Sequence, residues 1–577
     1  MKSADTVSNP TTDLAPTERQ TTPAGATAKR DTAMTSPSAD MTRAVDLTIQ
    51  RGAGPVRTSH PEWMNLLPPC NNACPVGEDI QAWLALAQVG KYRQAWDVLM
   101  RDNPMPAVHG RVCYHPCEGA CNRNELSGAV TIHAVERFLG DLAAEQGWAP
   151  SFDAAASGKR VLVIGAGPAG LSAAYHLTRL GHSVEIHEAG PAPGGMMRFG
   201  IPAYRLPRPS LTKEIERIER MGVHIVLNRR VDDIAAEKQE GGFDAVFVAI
   251  GAQSSKHVEI PARDAARVLD AVGYLRGVAA GAPSLLGRRV VIYGGGNTAM
   301  DAARTARRLG VDEAMIVYRR DRAHMPAHSF EADEAVEEGV KIKWLTTIKD
   351  FAGDTLTVER MNVAPDGRPV PTGEFETLQA DAVVLALGQE TDSDFIRKLP
   401  GVEVKTDGTV IVGPDMMTGA SGVFAGGDMV PSERTVTVAV GHGKLAARHI
   451  DGWLRRIPYT PPPKPRLVTW PIPNLPVFSD AEPTPQKRLQ VTAPEVGFTE
   501  IIAGLSESEA RREAQRCLSC GRCFECDNCF AACPEDAIMK LGLGRGYRLI
   551  ADRCTGCATC YEQCPCHAFE MQAEAVR

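Results

Sequence analysis

The fold of this chain is decided by Lys159–Leu177, which reads KRVLVIGAGPAGLSAAYHL. A short apolar run ends in three glycines, Gly165, Gly167 and Gly170, and a helical pattern follows. In such a unit the first glycine permits a tight turn, the second lets backbone amides approach a pyrophosphate, and the third allows close helix–strand packing. The stretch therefore predicts a dinucleotide-binding unit, with the pyrophosphate at the positive end of the helix dipole.

Further residues extend this predicted site. Glu188 closes the next apolar strand, SVEIHE, 18 residues after Gly170, where an acid can bind a ribose hydroxyl. We assign Pro168 and Ala169, between the glycines, to the same site. The glycine pair Gly194–Gly195 would let the backbone pass close to the bound dinucleotide.

A second nucleotide unit lies at Arg288–Arg304, RRVVIYGGGNTAMDAAR. Its fingerprint, Gly294-x-Gly296-x2-Ala299, has alanine at the third position, a known variant. We assign Asn297 and Thr298, at the expected helix start, to this site as well.

The second strand of this unit ends in two arginines, Arg319 and Arg320, rather than in an acid. Guanidinium groups can grip a 2′-phosphate bidentately, whereas an acid would select the free ribose of NAD. The sequence therefore favours NADP(H). The alternative is that the arginines are only a solvated strand end and the cofactor is NAD(H).

Two nucleotide units on one chain have a simple chemical meaning. One holds a flavin and the other brings a nicotinamide to its face, so that hydride transfer needs proximity and orientation more than acid–base residues. We accordingly predict no proton-transfer catalyst.

The stretch SGVFAGGDM places Asp428 after a strand and a glycine pair, before another helical pattern.

The C-terminal region carries the most specific pattern, two runs of C-x2-C-x2-C-x3-C-P. This is the duplicated bacterial ferredoxin run for two [4Fe–4S] clusters, in which the fourth cysteine of each run ligates the other cluster. One predicted ligand set is Cys523, Cys526, Cys529 and Cys564, and the other is Cys554, Cys557, Cys560 and Cys533. Three cysteines, Cys517, Cys520 and Cys566, are surplus; the Cys517-x2-Cys520 pair could bind something further or could simply be spare.

A second group of cysteines lies near the N-terminus, in short helical segments. Thiolates suit iron–sulfur clusters, and short spacings let one loop supply several ligands, although zinc is an alternative. The predicted ligands are Cys70, Cys74, Cys113, Cys117 and Cys121.

Composition narrows the class of protein. The 577 residues have a formal net charge of −7, which gives no reason to expect nucleic-acid binding. The longest apolar runs are far shorter than the roughly 20 residues of a membrane span, and the N-terminal stretch lacks the apolar region of a secretory signal. All sixteen cysteines fall in the two clustered regions, which in a cytoplasmic protein argues for metal rather than disulfides.

The predicted fold class is α/β, with two Rossmann-like domains between a small α-helical Fe–S domain and a ferredoxin-like domain. The predicted segments are a disordered tail (1–58), the Fe–S domain (59–150), the first half of the FAD domain (151–285), the NADP(H) domain (286–389), the second half of the FAD domain (390–456), a proline-rich linker (457–510) and the ferredoxin domain (511–577).

Long ordered stretches resemble the small subunit of glutamate synthase and the matching part of dihydropyrimidine dehydrogenase. They include GRVCYHPCEGAC, AVTIHAVERF, GGMMRFGIPAYRLPR, YGGGNTAMDAAR and VFAGGDM, besides the opening stretch. The resemblance implies FAD at the first fingerprint and NADPH at the second, in a domain inserted between two halves of the FAD domain. It also implies that Asp428 lies near the ribityl chain, and we assign Arg205, in a shared stretch, to the FAD site.

The N-terminal cysteines depart from this family. Its members usually carry two [4Fe–4S] clusters here, beginning with a CxxC that this chain lacks, so the sequence predicts one cluster. Cys74, Cys113 and Cys117 match one set of family ligands, whose fourth member falls at Glu136. Cys70 and Cys121 match the other, depleted set, and a regrouped cluster stays open. His109 is a possible substitute ligand, and an ordinary structural histidine is the alternative.

The appended ferredoxin domain departs from the glutamate synthase subunit. The chain has an electron entry and an electron exit but no evident substrate pocket, as in flavoproteins that connect NAD(P) to 2-oxoacid:ferredoxin oxidoreductases. We therefore predict an electron-transfer subunit in a hetero-oligomer, with ferredoxin or an Fe–S enzyme as partner. The alternatives are a glutamate synthase small subunit and a nucleotide-binding redox sensor; a disulfide reductase is disfavoured because no CxxC lies near the predicted flavin.

Overall fold

The computed structural model describes residues 57–255, 262–263, 267–470, 474, 478–488, 497–542 and 544–574. The disordered tail that we predict for residues 1–58 lies outside the described residues, apart from its last two. Among the described residues, no helix combines the length and the apolar character that crossing a membrane requires.

The first described region is a strand followed by small helices. Prolines occupy the first turn of three of these helices, where the missing N–H would have no helical partner anyway. Trp83 and Trp96 are fully buried among the helices. The elements are β1 (Ser59–Trp63), α1 (Pro69–Ala73), α2 (Ile80–Ala87), α3 (Tyr92–Leu99), α4 (Pro106–Val112), α5 (Pro116–Gly119) and α6 (Ile132–Glu145).

A parallel sheet with crossover helices follows, and it begins with the opening stretch. All four residues Val161–Ile164 are buried, as expected for a strand covered on both faces. The elements are β2 (Arg160–Ile164), α7 (Pro168–Arg179), β3 (Ser183–His187), α8 (Met196–Phe199), α9 (Arg208–Glu219), β4 (His224–Val226), α10 (Ile234–Glu240) and β5 (Ala245–Val248).

The middle of the chain forms a second five-stranded parallel sheet and a neighbouring four-stranded sheet. The elements are β6 (Ser254–Ser255), β7 (Ala262–Arg263), β8 (Val268–Asp270), α11 (Ala271–Ala279), β9 (Arg289–Tyr293), α12 (Asn297–Arg308), β10 (Glu313–Val317), α13 (Ser329–Glu337), β11 (Lys341–Lys343), β12 (Thr346–Ala352), β13 (Thr355–Val363), β14 (Pro369–Gln379), β15 (Ala382–Leu385), β16 (Gln389–Glu390) and α14 (Asp394–Arg397). The strand order is β11-β10-β9-β15-β8 in the parallel sheet and β14-β13-β12-β7 in the other.

The chain then returns to the first sheet. The strand β17 (Val423–Ala425) pairs in parallel with β5, which gives the order β17-β5-β2-β3-β4. The helix α15 (Val436–Arg455) packs along α7, and Gly443 lies at their closest approach. The predicted α/β fold, with the second nucleotide-binding unit inserted into the first, is confirmed.

The strand pairing places the start of the inserted domain earlier in the chain than the sequence predicts. β8 pairs with β15 of the second sheet, and α11 packs on α12, although both precede the predicted boundary at residues 285 and 286. Three residues of strand are too short for a period to be read from sequence. Strand pairing favours a boundary near residue 267, and the other boundaries stay proposals.

The C-terminal region contacts the N-terminal one directly. The helix α16 (Glu507–Gln515) packs on α2 and α6. The last strand pairs antiparallel with β1, so both ends of the described chain share one small sheet. The remaining elements are α17 (Asn528–Ala532), β18 (Ile538–Lys540), β19 (Tyr547–Leu549), α18 (Thr559–Glu562) and β20 (Phe569–Ala573).

We expect Gly443→Ala to lower the free energy of unfolding by about 1–3 kcal/mol, because the new methyl group would overlap the Ala169 carbonyl and force α15 away from α7. Chemical denaturation followed by flavin fluorescence measures the change. Gly119→Ala is the matched control, since a methyl group there meets open space. Equal stability of the two variants would contradict the close approach.

Candidate functional site

The first glycine turn lies at the carboxyl end of β2. Gly165 has a φ of +103°, and a Cβ there would lie 2.5 Å from the Ala249 carbonyl oxygen. A Cβ at Gly170 would overlap the carbonyl oxygen of Gly165. A Cβ at Gly195 would lie 2.9 Å from the Cα of Gly167. The glycines are therefore required by close backbone approach, as the dinucleotide fingerprint predicts.

A cleft opens beside this turn. It adjoins a second cleft that also includes Gly165, Gly195 and Gly251 in its lining, so the two form one continuous groove. Eight of the nine residues predicted to bind FAD line the first cleft, and Gly170 packs behind it. The eight are Gly165, Gly167, Pro168, Ala169, Glu188, Gly195, Arg205 and Asp428.

Glu188 is held at the edge of the groove by the backbone. Its carboxylate accepts hydrogen bonds from the N–H groups of Ala166 and Gly190, both at 2.7 Å. The side chain is thereby positioned before any ligand arrives, which suits the predicted contact to a ribose hydroxyl.

Asp428 also lines the cleft, from a short turn before α15. Burial raises the pKa of its carboxyl group to about 6. Arg434, which also lines the cleft, acts in the opposite direction. A buried carboxylate beside a groove is a strong acceptor for a ligand hydroxyl.

Arg205 lines the cleft, but its guanidinium group also joins the two nucleotide units. It lies 2.9 Å from Asp301 of α12 and 2.5 Å from Glu331 of α13. All three side chains are buried or nearly so. Its assignment to FAD stays a prediction, whereas the ion pairs show how the inserted domain is held against the flavin groove.

The second fingerprint places α12 at the same groove. Gly294 has a φ of +150° at the end of β9, and a Cβ there would overlap the Ala386 carbonyl oxygen. Asn297 and Thr298 line the flavin cleft. The Asn297 amide donates to the Tyr114 hydroxyl at 2.6 Å, which links this helix to the N-terminal region.

Arg319 and Arg320 lie apart from the flavin, at the end of β10. They line a separate cleft with His324 and Arg368. Arg368, on the turn between β13 and β14, is a third guanidinium group that we did not predict. The two arginines at the end of the second strand are well suited to a 2′-phosphate. Arg368 faces the same cleft from the hairpin turn, where it pairs with Asp366 at 2.6 Å.

The N-terminal cysteines lie at the ends of short helices. Cys74 follows α1, Cys113 follows α4, and Cys117 lies in α5. The Cys113 and Cys74 thiolates interact electrostatically with that of Cys117, so the structure brings the three together. Burial raises the pKa of Cys113 to about 12, and the N–H of His115 donates to its sulfur at 3.3 Å.

A buried polar group adjoins these thiols. Glu136 of α6 accepts a 2.7 Å hydrogen bond from Asn103, and the amide of Asn103 also lies 3.0 Å from Glu78. Burial raises the pKa of Glu78 to about 7 and lowers that of His109 to about 3. Glu136 interacts with both Cys74 and Cys113, the placement implied for the fourth ligand. His109 contacts Asn103, and its Nδ1 atom lies 3.9 Å from the Glu136 carboxylate, so its role as a substitute ligand or as a structural histidine stays a prediction.

The groove borders the cysteines as well as the nicotinamide unit. Val112 and Tyr114 flank Cys113 in sequence, and both line the flavin cleft. Among the described residues that line the cleft, none is a cysteine, which gives no support to a disulfide reductase.

The C-terminal cysteines form the two groups that the crossed ligation pattern predicts. Cys529 interacts with Cys523, Cys526 and Cys564, whereas Cys560 interacts with Cys554, Cys557 and Cys533. Backbone N–H groups donate to Cys533 and Cys564 at 3.3 Å. Such N–H···S bonds are one of the ways a protein tunes iron–sulfur clusters.

The thiols are not arranged around a single-ion site. Zinc holds thiolate sulfurs about 3.8 Å apart, since each Zn–S bond is about 2.3 Å. Within the described part of the chain, no cysteine belongs to any group of three potential ligand atoms that all lie within 4.8 Å of one another.

These features define a class of protein: a flavin- and nicotinamide-dependent oxidoreductase with iron–sulfur clusters. Residues 159–443 match the family model of the pyridine nucleotide–disulphide oxidoreductases. Residues 66–148 match the 4Fe–4S domain II of dihydropyrimidine dehydrogenase.

Known relatives cover most of the chain. The NADP(+)-dependent formate dehydrogenase subunit beta of Moorella thermoacetica is 37% identical over 500 residues, which is 78% of this chain and 70% of the relative. The NADPH–Fe(3+) oxidoreductase subunit beta of Geobacter sulfurreducens is 34% identical over 505 residues, covering 78% and 75%. The glutamate synthase [NADPH] small chain of Escherichia coli is 35% identical over 419 residues, covering 67% and 89%.

The chain belongs to this family of glutamate synthase small-chain-like oxidoreductases. It is an FAD-dependent NADP(H) oxidoreductase with iron–sulfur clusters that transfers electrons between these cofactors. The family and cofactors predicted from the sequence are thus confirmed, and the individual binding residues stay predictions.

We expect replacement of Arg319 and Arg320 by alanine to weaken NADPH binding roughly 10- to 100-fold, since hydrogen bonds to charged groups contribute about 1.5–3 kcal/mol. NADH binding should change little, because it lacks the phosphate. Steady-state KM values for both nucleotides test this. Arg288→Ala is the matched control, because Arg288 precedes β9 and lies at the other edge of the sheet from Arg319 and Arg320. Equal losses of NADPH and NADH binding in the double variant would refute the phosphate role.

We also expect FAD affinity to fall below about pH 6, by up to about tenfold per pH unit, if Asp428 accepts a hydrogen bond from FAD. In the free protein the pKa of the Asp428 carboxyl group is raised to about 6, whereas a hydrogen bond from FAD would favour the ionised carboxylate. FAD affinity is therefore lost as the pH falls through about 6. Flavin fluorescence titrations between about pH 5 and pH 8 measure it. Asp428→Asn should bind FAD more weakly with a flatter profile; an unchanged profile would argue against the acceptor role.

Proposed function

We propose that this chain is the NADP(H)-linked electron-transfer subunit of a larger enzyme whose partner subunit holds the substrate. One observation carries the proposal: the flavin groove is bordered on one side by Asn297 and Thr298 of the nicotinamide unit and on another by Val112 and Tyr114, which flank Cys113. A groove with these neighbours can exchange electrons with both. The names of the Moorella and Geobacter relatives, each a subunit beta, support a place in a complex.

The protein brings the two nucleotides close together and orients them. When bound, FAD supplies the chemistry that couples hydride exchange with a nicotinamide to single-electron exchange with iron–sulfur clusters. The glycine turns bring backbone N–H groups close to each nucleotide. The buried ion pairs of Arg205 with Asp301 and Glu331 hold the nicotinamide unit against the groove, which serves the orientation that hydride transfer requires.

The C-terminal cysteine-rich domain is the proposed exit toward the partner. Three of its predicted ligands are exposed, namely Cys523, Cys526 and Cys557. The side chain of Phe530, next to Cys529, is 43% exposed. Solvent-accessible ligand loops with a neighbouring aromatic ring suit docking of ferredoxin or a partner subunit.

Two partner classes follow from different observations. The arrangement of a flavoprotein joined to a ferredoxin domain favours a 2-oxoacid:ferredoxin oxidoreductase, and the Moorella relative's name favours a formate dehydrogenase. The match to the glutamate synthase small chain covers only 67% of this chain, so that activity leaves a third of the molecule without a role. The predicted cytoplasmic location stays a prediction.

Anaerobic affinity purification of the full chain, with identification of bound subunits, tests the proposal. We expect a substrate-bearing Fe–S partner, and NADP+ reduction by the complex with either formate or a 2-oxoacid. The Arg319→Ala, Arg320→Ala double variant is the control: it should retain the partner and lose most NADP(H)-dependent activity.

Two outcomes would contradict the proposal. Copurification of a glutaminase-bearing large subunit would instead support glutamate synthase. Failure of the isolated chain to reduce an artificial dye with NADPH, with FAD and iron present, would support a redox sensor.

A further inference from the structure

We propose that Cys517 and Cys520, together with Cys70 and Cys121, form the complete ligand set of a further [4Fe–4S] cluster. These four cysteines form what we name the end-joining tetrad. This inference does not depend on the identity of the partner enzyme. It adds a fourth cluster to the three predicted from the sequence, and it assigns a role to a cysteine pair that had none.

The structure brings the four thiols together although about 400 residues separate the two pairs. Cys70, Cys121 and Cys517 pack against the same buried apolar cluster. The N–H of Leu66 donates to the carbonyl group of Gly521, which follows Cys520, at 3.1 Å. The N-terminal pair and the C-terminal pair are therefore neighbours in the folded chain.

The backbone around the pair is that of a cluster-binding loop. In Cys517-Leu-Ser-Cys-Gly521, the third and fifth residues have φ values of +49° and +70°. The corresponding residues have +60° and +70° in the loop that begins at Cys523, and +72° and +63° in the loop that begins at Cys554. The same left-handed positions in the same register mark Cys517-x2-Cys520 as a third loop of the type that opens each ferredoxin run.

Polar groups around the tetrad suit negatively charged sulfur. The N–H of Ser519 donates to the Cys517 sulfur at 3.4 Å, and the Asn122 amide donates to the Cys520 sulfur at 3.4 Å. Arg123, two residues after Cys121, donates to the carbonyl group of Arg516, next to Cys517, at 2.7 Å, and its buried Nε atom has no hydrogen-bond partner among the described residues. An unpaired buried donor at this place suits an acceptor such as cluster or ligand sulfur.

The tetrad combines two pairs that are incomplete alone. Cys70 and Cys121 supply two thiolates, and the surplus Cys517-x2-Cys520 pair from the C-terminal side brings the number to four. The third surplus residue, Cys566, lies 3.8 Å from Cys564 of a ferredoxin set and is not needed here.

The order of ligand sets gives the tetrad a position. Cys113 adjoins the flavin groove, Cys74 of the same set follows α1, which contains Cys70, and Cys520 lies three residues before Cys523. The tetrad therefore neighbours both the set nearest the flavin and the first C-terminal set.

Iron analysis of the intact, anaerobically purified protein is the first test, and it needs no variant. We expect about sixteen irons per chain, at four per cluster, with acid-labile sulfide in equal amount. Twelve irons in fully flavin-loaded protein would overturn the proposal. Zinc in place of the missing iron would also overturn it.

A matched pair of variants is the second test. Cys517→Ser with Cys520→Ser should reduce the iron content from about sixteen to about twelve and remove one signal from the electron paramagnetic resonance spectrum of the reduced protein. Cys566→Ser is the control and should keep all four clusters. Equal iron loss in both, or none in either, would refute the assignment.

Thiol alkylation links the two ends of the chain and guards against a variant that fails to fold. Cys70→Ser should make Cys121, Cys517 and Cys520 reactive to iodoacetamide, while Cys74, Cys113 and Cys117 stay protected. Retained FAD shows that the nucleotide-binding domains are intact. Continued protection of Cys517 and Cys520 in flavin-loaded Cys70→Ser protein would show that they do not share a cluster with Cys70.

Discussion

A buried ion pair between Glu513 and Arg516 holds the two cysteine-rich regions together. Glu513 is fully buried and accepts hydrogen bonds from the N–H groups of Thr131 at 2.8 Å and Thr484 at 2.9 Å. Arg516 pairs with Glu513 and donates to the carbonyl groups of residues 127–129. Removing one member of such a pair leaves an uncompensated charge, at a typical cost of about 3–5 kcal/mol. The position of α16 against α6, and of every cysteine that follows it, depends on this arrangement.

A second buried charged group has the same role at the other interface. Arg205, Asp301 and Glu331 join the flavin unit to the nicotinamide unit, as Glu513 and Arg516 join the C-terminal region to the N-terminal one. Charged contacts of this kind fix geometry through directional hydrogen bonds, whereas apolar contacts allow sliding. Cofactors that exchange electrons across domain boundaries require such fixed geometry.

Features that depend on neighbouring residues could be predicted from the sequence. The glycine turns at Gly165 and Gly294 follow from local sterics, and the crossed grouping of the ferredoxin cysteines follows from a repeated run. Features that depend on distant residues could not. Arg368 reaches the cleft of Arg319 and Arg320 only because a hairpin folds back. The strand β8 is identified by its partner β15 rather than by its own three residues.

The pairing of β1 with β20 and the end-joining tetrad have a consequence for how the protein is made. Cys70 and Cys121 leave the ribosome about 400 residues before Cys520 does, which at about 5–20 residues per second is roughly 20–80 s. During that interval the N-terminal domain lacks its partner strand, α16 and two thiols. The N-terminal domain is therefore completed late: a product truncated before α16 lacks the helix and the strand that pack against its first domain.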